Sequence, residues 1–336
     1  MPCFAQTTTD TSHKKNNAAD SSYIRSYDNY VNITAGWNTR NTEYHISYPA
    51  FNTRFVLSPK ETDQFSLNLD YSFLFVYYSF TPHVFNLNNN DSIKGSSKRS
   101  TFATGFSFKQ WNISFDYQNI KGYYLKNTGD FIPGWSKGDV YLQFPYLKTI
   151  QTGGQVSYNF NKRFSVSSLV SGKEQQLKTA FTLWPMLAYW NIKMKDEAND
   201  SAQKTDNALT INNDINLLLP LAANIVFAKN FYIAAFAGPA IGINFYSAKG
   251  YDANAKAIST SGTTLSNGYY VRGSIGYTGK KFYMGFDAFA RKYWHGAEEH
   301  TFAKYSYGLQ AYAGTRFDPP RILRKTFAWL DKLIPL

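Results

Sequence analysis

Histidines are the residues of this sequence best suited to acid–base chemistry, and one of them lies in an alternating segment. His45 stands between Tyr44 and Ile46 in a stretch that reads as a β-strand. A serine-type hydrolase needs a histidine beside a serine or aspartate. The one Gly-x-Ser-x-Gly segment, Gly134–Gly138, falls in a predicted loop and not in the strand-to-helix turn of a hydrolase nucleophile. A polar lumen residue is therefore the favoured interpretation of His45, and a lipid-modifying hydrolase is the alternative. The histidines are His13, His45, His83, His295 and His300.

A second group of chemically competent residues falls in one predicted loop: His295, Glu298, Glu299 and His300. Imidazole and carboxylate suit a divalent cation, but a solvated loop has the same composition, and we assign no metal site. The single cysteine, Cys3, excludes a disulfide scaffold and a cysteine-based metal site. The chain also lacks a glycine-rich phosphate loop, so we predict no cofactor.

The formal net charge of +12 raises the question of an anionic partner. Nucleic acid is not expected, because the basic residues are scattered through turns and loops rather than gathered in a stripe. A lipid bilayer and its lipopolysaccharide phosphates are the alternative partners, with plain loop solubility as the simpler explanation. The residues placed at that surface are Lys94, Lys98, Arg99, Lys121 and Lys126.

The elements that would position these residues are strands. Aromatic residues make up 18% of the 336-residue chain, yet its mean hydropathy is −0.39. Segments such as 31–37, 65–71, 111–118, 269–277 and 305–317 alternate between apolar and polar residues, which predicts strands with one apolar and one polar face.

Strand and loop lengths favour a membrane barrel over a soluble sandwich. Several alternating segments run ten residues or more, as a tilted strand needs to cross a bilayer, whereas soluble strands average about six. Short turns also alternate with long polar loops, as in barrels whose turns face the periplasm. Aromatics placed near the strand ends fit interfacial girdles: Trp37, Trp111, Tyr158, Phe160, Trp190, Tyr277, Trp294 and Phe317. The predicted long loops are 81–100, 119–148, 193–208, 247–265 and 292–302.

We therefore predict an all-β, antiparallel up-and-down transmembrane barrel of about 12 strands, within a range of 10–14. An even count requires residues 163–192 to form a single pass, interrupted at 173–177. The interruption would be a bulge or an inward excursion carrying Lys173, Glu174, Gln175 and Gln176. The predicted lumen-lining residues are Asn68, Asp70, Asn112, Asp116, Arg272, Asp287, Arg291, Gln310 and Arg316.

The two ends of the chain differ from this middle part. Residues 1–27 read as a signal remnant, with Phe4-Ala5-Gln6 like a cleavage site, and a flexible linker. Residues 28–317 form the barrel. In residues 318–336, Asp318-Pro319-Pro320 stops the last strand, and a short amphipathic helix follows. That helix would lie on the inner face of the membrane with Arg321, Arg324 and Lys325 at lipid phosphates, or it would close the periplasmic mouth or bind a periplasmic partner.

Several short motifs, in this order and spacing, resemble one family. They are Lys121-Gly122-Tyr123-Tyr124-Leu125, Phe144-Pro145-Tyr146-Leu147-Lys148-Thr149, Phe164-Ser165 leading to Gly172, Gly276-Tyr277 leading to Lys281–Gly285, and Gly314–Pro320. Together they look like domain of unknown function 4421 of Bacteroidota over roughly residues 23–325. The resemblance implies an outer-membrane barrel without an established activity. Family members tend to carry an acidic-Arg-Gln motif where this chain reads Glu174-Gln175-Gln176.

The functional expectation is a non-catalytic barrel of the Gram-negative outer membrane, either structural or a narrow porin-like pore for small solutes. Barrels of this size leave little open space once side chains fill the interior. The alternatives are the lipid-modifying hydrolase and a barrel whose long loops bind a partner.

Overall fold

The computed structural model describes residues 20–82, 91–170, 172–197, 209–251, 257–296 and 300–333. Seventeen strands and three helices are assigned within these residues. The strands are β1 (Ile24–Ser26), β2 (Val31–Tyr48), β3 (Thr53–Ser58), β4 (Thr62–Tyr71), β5 (Leu74–Phe80), β6 (Lys98–Phe108), β7 (Trp111–Leu125), β8 (Gln143–Tyr158), β9 (Glu174–Gln176), β10 (Ala180–Leu183), β11 (Met186–Asp196), β12 (Leu209–Leu218), β13 (Leu221–Ala228), β14 (Phe231–Tyr251), β15 (Ala257–Thr278), β16 (Phe282–Gly296) and β17 (Thr301–Phe317). The helices are α1 (Asp91–Lys94), α2 (Ser167–Val170) and α3 (Arg321–Leu333).

Twelve antiparallel passes close into a ring, which confirms the predicted barrel and its strand number. Three passes consist of two strands each: β3 with β4, β10 with β11, and β12 with β13. The passes follow one another in chain order around the ring, and pairing of β17 with β2 closes it. The breaks within the three composite passes fall at Pro59, Pro185 and Pro220. Proline has no N–H to donate to a neighbouring strand, so the pairing is interrupted there.

The barrel has two unlike ends. At the turn end, short connections join β4 to β5, β6 to β7, β13 to β14 and β15 to β16. Strand β2 begins and strand β17 ends at this end of the barrel. At the loop end, the connections include the long segments 81–97 and 126–142. Two of the predicted long loops are wrong. Residues 247–265 are mostly strand because β14 extends to Tyr251 and β15 begins at Ala257, and residues 292–302 are mostly strand because β16 extends to Gly296 and β17 begins at Thr301. The serines, threonines and glycines of that hairpin pair in register but do not alternate with apolar residues, so the sequence alone reads as a loop.

A belt of large apolar side chains points outward from the ring. Phe286 is 67% exposed, Leu309 is 64% exposed and Ile241 is 58% exposed, while the residues beside them in each strand point inward. Such a surface is stable only in contact with lipid, and this identifies the barrel as transmembrane. Trp190 does not belong to the predicted aromatic girdle, because its side chain is buried inside the barrel.

The segment before β10 does not follow the predicted course. We expected residues 163–192 to form one interrupted pass. Instead, the pass consists of Ala180–Asp196, and residues 163–170 and 172–177 leave the wall and enter the lumen. These residues include helix α2 and strand β9. Strand β9 does not pair with any strand of the ring but forms a separate two-stranded sheet with β1. We call residues 163–177 the plug.

Helix α3 lies against the outer surface of the turn end. Its Phe327 ring contacts Tyr71 at 4.7 Å and Phe73 at 5.3 Å between centroids, and it is buried with Val31. Val31 and Tyr71 are outward-facing, since Asn32 and Asp70 beside them point into the barrel. The same helix leaves Ile322 82% exposed and Trp329 59% exposed. No helix within the described ranges is long and apolar enough to span a bilayer.

Candidate functional site: the plugged lumen

Inward-facing side chains enclose a chamber of about 320 Å³ in the lumen. Strand alternation places every second residue there, so the polar faces read from the sequence become its lining. Five cationic and two carboxylate side chains take part. Of the predicted residues, Asn68, Asp70, Asn112, Asp116, Arg272, Arg291, Gln310 and Lys173 line the chamber.

The other predicted residues lie elsewhere. Asp287 is buried in the wall, where its carboxylate lies 2.5 Å from Nε of Arg272. Arg316 is buried below the chamber, at the turn end. Glu174, Gln175 and Gln176 form β9 of the plug. The predicted lumen-lining residues therefore divide mainly between the chamber wall and its floor, and we call the plug together with Arg316 the floor. The residues predicted as an inward excursion lie in the plug.

The plug is held in the lumen first by apolar contact. Phe164, Val166 and Leu169 are all at least nine-tenths buried, and they pack in a cluster that includes Trp184 and Phe236. These contacts are not predictable from strand alternation, because an inward apolar residue in a barrel strand contradicts the usual polar lumen. The failed strand parity around 163–192 was the one available signal.

Hydrogen bonds from the plug reach the chain before β2. Strand β1 pairs with β9, so that Ile24 lies opposite Gln176 and Ser26 lies opposite Glu174. The Gln176 side chain accepts from the N–H of Ser165 at 2.8 Å and donates to the carbonyl of Arg163 at 2.7 Å. Both ends of this amide are therefore used within the plug.

Gln175 connects the plug to the barrel. Its Oε1 accepts from the Tyr27 hydroxyl at 3.0 Å, and its Nε2 donates to Oδ1 of Asn230 at 3.2 Å. Asn230 lies in the turn between β13 and β14. The Asn224 amide of β13 also donates to Oγ of Ser168. The plug thus has polar contacts with two neighbouring positions of the wall.

Arg316 joins four parts of the turn end. Its guanidinium donates to the carbonyl of Gly172 in the plug at 3.1 Å and to the carbonyl of Gly279 at 2.6 Å. Nε also donates to Oδ1 of Asn32 at 3.0 Å. The guanidinium lies 3.8 Å from the centre of the Tyr27 ring, which brings the segment before β2 into the same contact. Gly172 is required here because a Cβ would overlap the Tyr283 ring.

The plug carries one carboxyl group with an altered acidity. Burial raises the pKa of Glu174, and the nearby Asp28 carboxylate raises it further. Oγ of Ser165 donates to this carboxyl at 2.6 Å. Nζ of Lys173 lies 3.4 Å from Asp28, so part of the negative charge is balanced. Protonation of Glu174 is therefore easier in the plug than it would be for the same group in water.

The loop end of the chamber is filled by side chains that meet across the lumen. The Tyr44 ring lies 5.7 Å from Phe302 and 6.1 Å from Tyr123, measured between centroids. Nζ of Lys304 in β17 donates to Oε1 of Gln151 in β8, on the far wall. The chamber is therefore enclosed between this layer and the plug.

Arg99 was predicted at the membrane surface, and this is wrong. It begins the inward-facing series of β6, is 5% exposed, and donates to the carbonyl of Arg40 at 2.5 Å. Lys126, which was predicted at the same surface, donates to Glu43 at 2.6 Å.

Glu197 at the loop end is paired with two lysines. Lys121 lies 3.3 Å from Glu197, and Lys148 lies 3.2 Å from it. The hydrogen bond from Lys148, with further help from Lys121, lowers the pKa of Glu197.

The candidate catalytic residues are not gathered with the chamber. His45 faces outward, and its Nε2 lies 3.3 Å from Glu43 rather than from a serine. His295 is buried and stacks on Phe302 at 5.1 Å. His13, His83, Glu298 and Glu299 lie outside the described residues. Among the residues that are described, no three His, Cys, Asp or Glu side chains form a group able to hold a metal.

Comparison with known proteins gives structural likeness at low identity. The outer-membrane protease OmpT from Escherichia coli is 7% identical, with a TM-score of 0.40, covering 89% of this chain and 100% of that chain. The β domain of the Bordetella autotransporter BrkA is 9% identical, with a TM-score of 0.34, covering 82% of this chain and 98% of that chain. The Ralstonia pickettii toluene transporter TbuX is 8% identical, with a TM-score of 0.33, covering 85% and 89%. Likenesses of this degree support no inference about activity.

No protein with a curated description matches the sequence. The family model of domain of unknown function DUF4421 matches residues 18–317, which is most of the chain. Its range includes the N-terminal strand β1, the plug and the last barrel strand, so the match covers the parts that close the turn end. The chain belongs to the DUF4421 family.

Proposed function

We propose that this protein is a non-catalytic barrel of the Gram-negative outer membrane whose lumen is a narrow path for small solutes, closed by the plug. The observation that carries the proposal is the chamber of about 320 Å³ that charged side chains line and that Val166, Leu169 and Lys173 of the plug border. A purely structural barrel has no need of an internal space lined by charged side chains. A permanently open pore has no need of a floor packed by Phe164 and Leu169.

The location rests on the outward apolar belt and on the two unlike ends. Bacterial outer-membrane barrels have an even number of strands, short periplasmic turns and longer external loops. The turn end of this barrel would then face the periplasm, with α3 at the inner leaflet. The exposed Ile322 and Trp329 support insertion of α3 among the lipids. Arg321, Arg324 and Lys325 supply the charge for lipid phosphates. Extraction from the outer-membrane fraction only by detergent is the expected result.

The path is tested by replacing residues 163–177 with a short Gly/Ser linker and measuring conductance in planar bilayers. The wild-type protein should conduct weakly, and the variant should conduct at least tenfold more because its floor is removed. Lys280→Gln is the control, since this lysine is exposed at the same end of the barrel and its change should leave the conductance as it is. A folded linker variant that conducts no better than wild type would leave a structural barrel and defeat the proposal.

A further inference from the structure

Four polar atoms on one wall of the chamber have no hydrogen-bond partner among the described residues. They are Nε of Arg40, the hydroxyl of Tyr77, Nη2 of Arg99 and Oγ1 of Thr101, and all four are buried. The four residues line the same chamber. We call Arg40, Tyr77, Arg99 and Thr101 the wall patch. Buried polar atoms of native proteins are normally paired, so a set without partners on one wall calls for a ligand.

The four atoms also share one chemical property, because each carries a hydrogen that it can donate. A group complementary to them must accept several hydrogen bonds and need not donate any. Carboxylate and phosphate oxygens meet this requirement, and guanidinium groups bind both with good geometry. A sugar or another neutral solute would bring hydroxyl hydrogens of its own, for which this wall offers few acceptors.

Charge points to the same class of ligand. No carboxylate of the described residues lies within ion-pair distance of Arg40 or Arg99, whereas Arg272 in the same lining is paired with Asp287. Arg291 adds a third guanidinium from another strand of the wall, held between Trp190 at 5.1 Å and Tyr270 at 5.5 Å. The two carboxylates of the lining are Asp70 and Asp116, and Asn68 donates to Asp70 at 2.5 Å. The lining as a whole keeps an excess of positive charge.

The wall patch is held in position before any ligand arrives. Arg99 is 5% exposed, and its Nη1 is bound to the carbonyl of Arg40 at 2.5 Å. The Arg40 guanidinium lies between the rings of Tyr77 at 5.5 Å and Phe289 at 5.3 Å. Fixing long side chains in advance removes much of the entropy cost of binding. The volume of about 320 Å³ is at the small end of ligand pockets.

We propose that the wall patch binds a small oxyanion, a carboxylate or a phosphate, inside the lumen. This inference rests on the proposed function in one respect, because it names the class of solute that would pass through the lumen. Binding itself requires the chamber but no conduction. Binding and conduction are therefore measured separately, and either proposal can fail alone.

The test is calorimetric titration of the purified full-length protein in detergent with inorganic phosphate, with acetate, and with glucose as the neutral probe. Phosphate or acetate should bind saturably, and glucose should not. Arg99→Gln should weaken that binding at least tenfold, because it removes a charged donor from the site. The anion that binds more tightly distinguishes phosphate from carboxylate as the natural group.

Lys98→Gln is the matched control, because it removes one positive charge from the adjacent, exposed position of β6. It should leave the affinity unchanged. Thr101→Val keeps the shape of its side chain and should weaken binding several-fold, which tests the site even where Arg99→Gln fails to fold. The proposal is overturned by the absence of saturable anion binding to the wild type, by equal weakening in Lys98→Gln and Arg99→Gln, or by glucose binding as tightly as the anions.

Discussion

The floor and the wall of the chamber treat their polar groups in opposite ways. In the floor, the amide of Gln176, the carboxyl of Glu174 and the guanidinium of Arg316 all have protein partners. In the wall patch, Arg99 and Thr101 keep buried donors that have no partner among the described residues. Arg316 in the floor and Arg99 in the wall are each 5% exposed, so burial does not explain the difference.

The contrast indicates what each region does. A buried polar group whose partners are all within the protein stabilises one arrangement of the chain. A buried donor without a partner lowers stability by about 1–3 kcal/mol until something binds it. This is the arrangement expected if the floor keeps the plug in place and the wall receives a solute, as proposed above.

The largest effect is expected from Arg316→Ala. The change removes charged hydrogen bonds to Gly172, Gly279 and Asn32, and it leaves two carbonyls without their donor. Plug closure should lose about 3 kcal/mol, which is roughly a hundredfold change in the closed-to-open ratio. Single-channel recording in planar bilayers would show this as a rise in open probability.

Arg316→Lys sharpens the same experiment, since it retains the charge but not the forked geometry. It should give an open probability between those of wild type and Arg316→Ala. Arg321→Ala serves as the control because Arg321 is exposed on α3. An Arg316→Ala barrel that is folded and as tightly closed as wild type would show that the apolar contacts alone hold the plug.

A smaller effect on the free energy of unfolding is expected when one hydroxyl is removed from the floor or from the wall patch. Ser165→Ala removes a donor to Glu174 and an acceptor for the N–H of Ser168, so the free energy of unfolding should fall by about 1 kcal/mol. Thr101→Val removes a hydroxyl that has no partner, so stability should stay equal or rise by up to about 1 kcal/mol. Urea unfolding of both variants in the same detergent measures the difference. Equal destabilisation by the two changes would erase the distinction between floor and wall.

The smallest effect concerns pH. The pKa of Glu174 is raised above its ordinary value of 4.5, so the plugged state binds more protons than the released state. Plug stability is therefore complete below the ordinary pKa and declines as the pH rises through the raised pKa. Protease cleavage within residues 163–177 should become faster over that window. Glu174→Gln should remove the dependence, while Glu197→Gln at the loop end should keep it. A cleavage rate that does not change with pH in the wild type would contradict the assignment.

The ring was predictable from sequence because lipid and lumen impose alternation on each strand. In the pairs Leu67–Asn68 and Phe115–Asp116, the polarity of each side chain already indicates whether it faces lipid or the lumen. The signal fails wherever a strand has no lipid on one side. Residues 257–265 of β15 continue beyond the length of about 9–11 residues that crosses a bilayer, and there the alternation disappears. Trp190 was misplaced because it faces a filled lumen, where an inward apolar residue is favourable.

The candidate site was predictable only as a list of inward polar residues. Asn112, Asp116 and Arg291 follow from strand alternation, but their grouping depends on how the strands are staggered around the ring. The plug was detectable as a failure of strand parity, and its apolar contacts were not. Arg99 falls within the predicted loop 81–100, where a basic residue is expected at the membrane surface. Only the pairing of β6 with β5 and β7 shows that Arg99 belongs to a strand and faces inward.

The position of Arg316 in the chain has a consequence for the order of assembly. Arg316 belongs to β17, the last strand to be synthesised and the strand that closes the ring by pairing with β2. The carbonyl of Gly172 that it binds is 144 residues earlier. Contacts between such distant residues form late in folding, after the chain between them is ordered. The contact between Arg316 and Gly172 therefore cannot form until β17 has joined the ring, so closure of the barrel and completion of the plug contacts depend on the same strand.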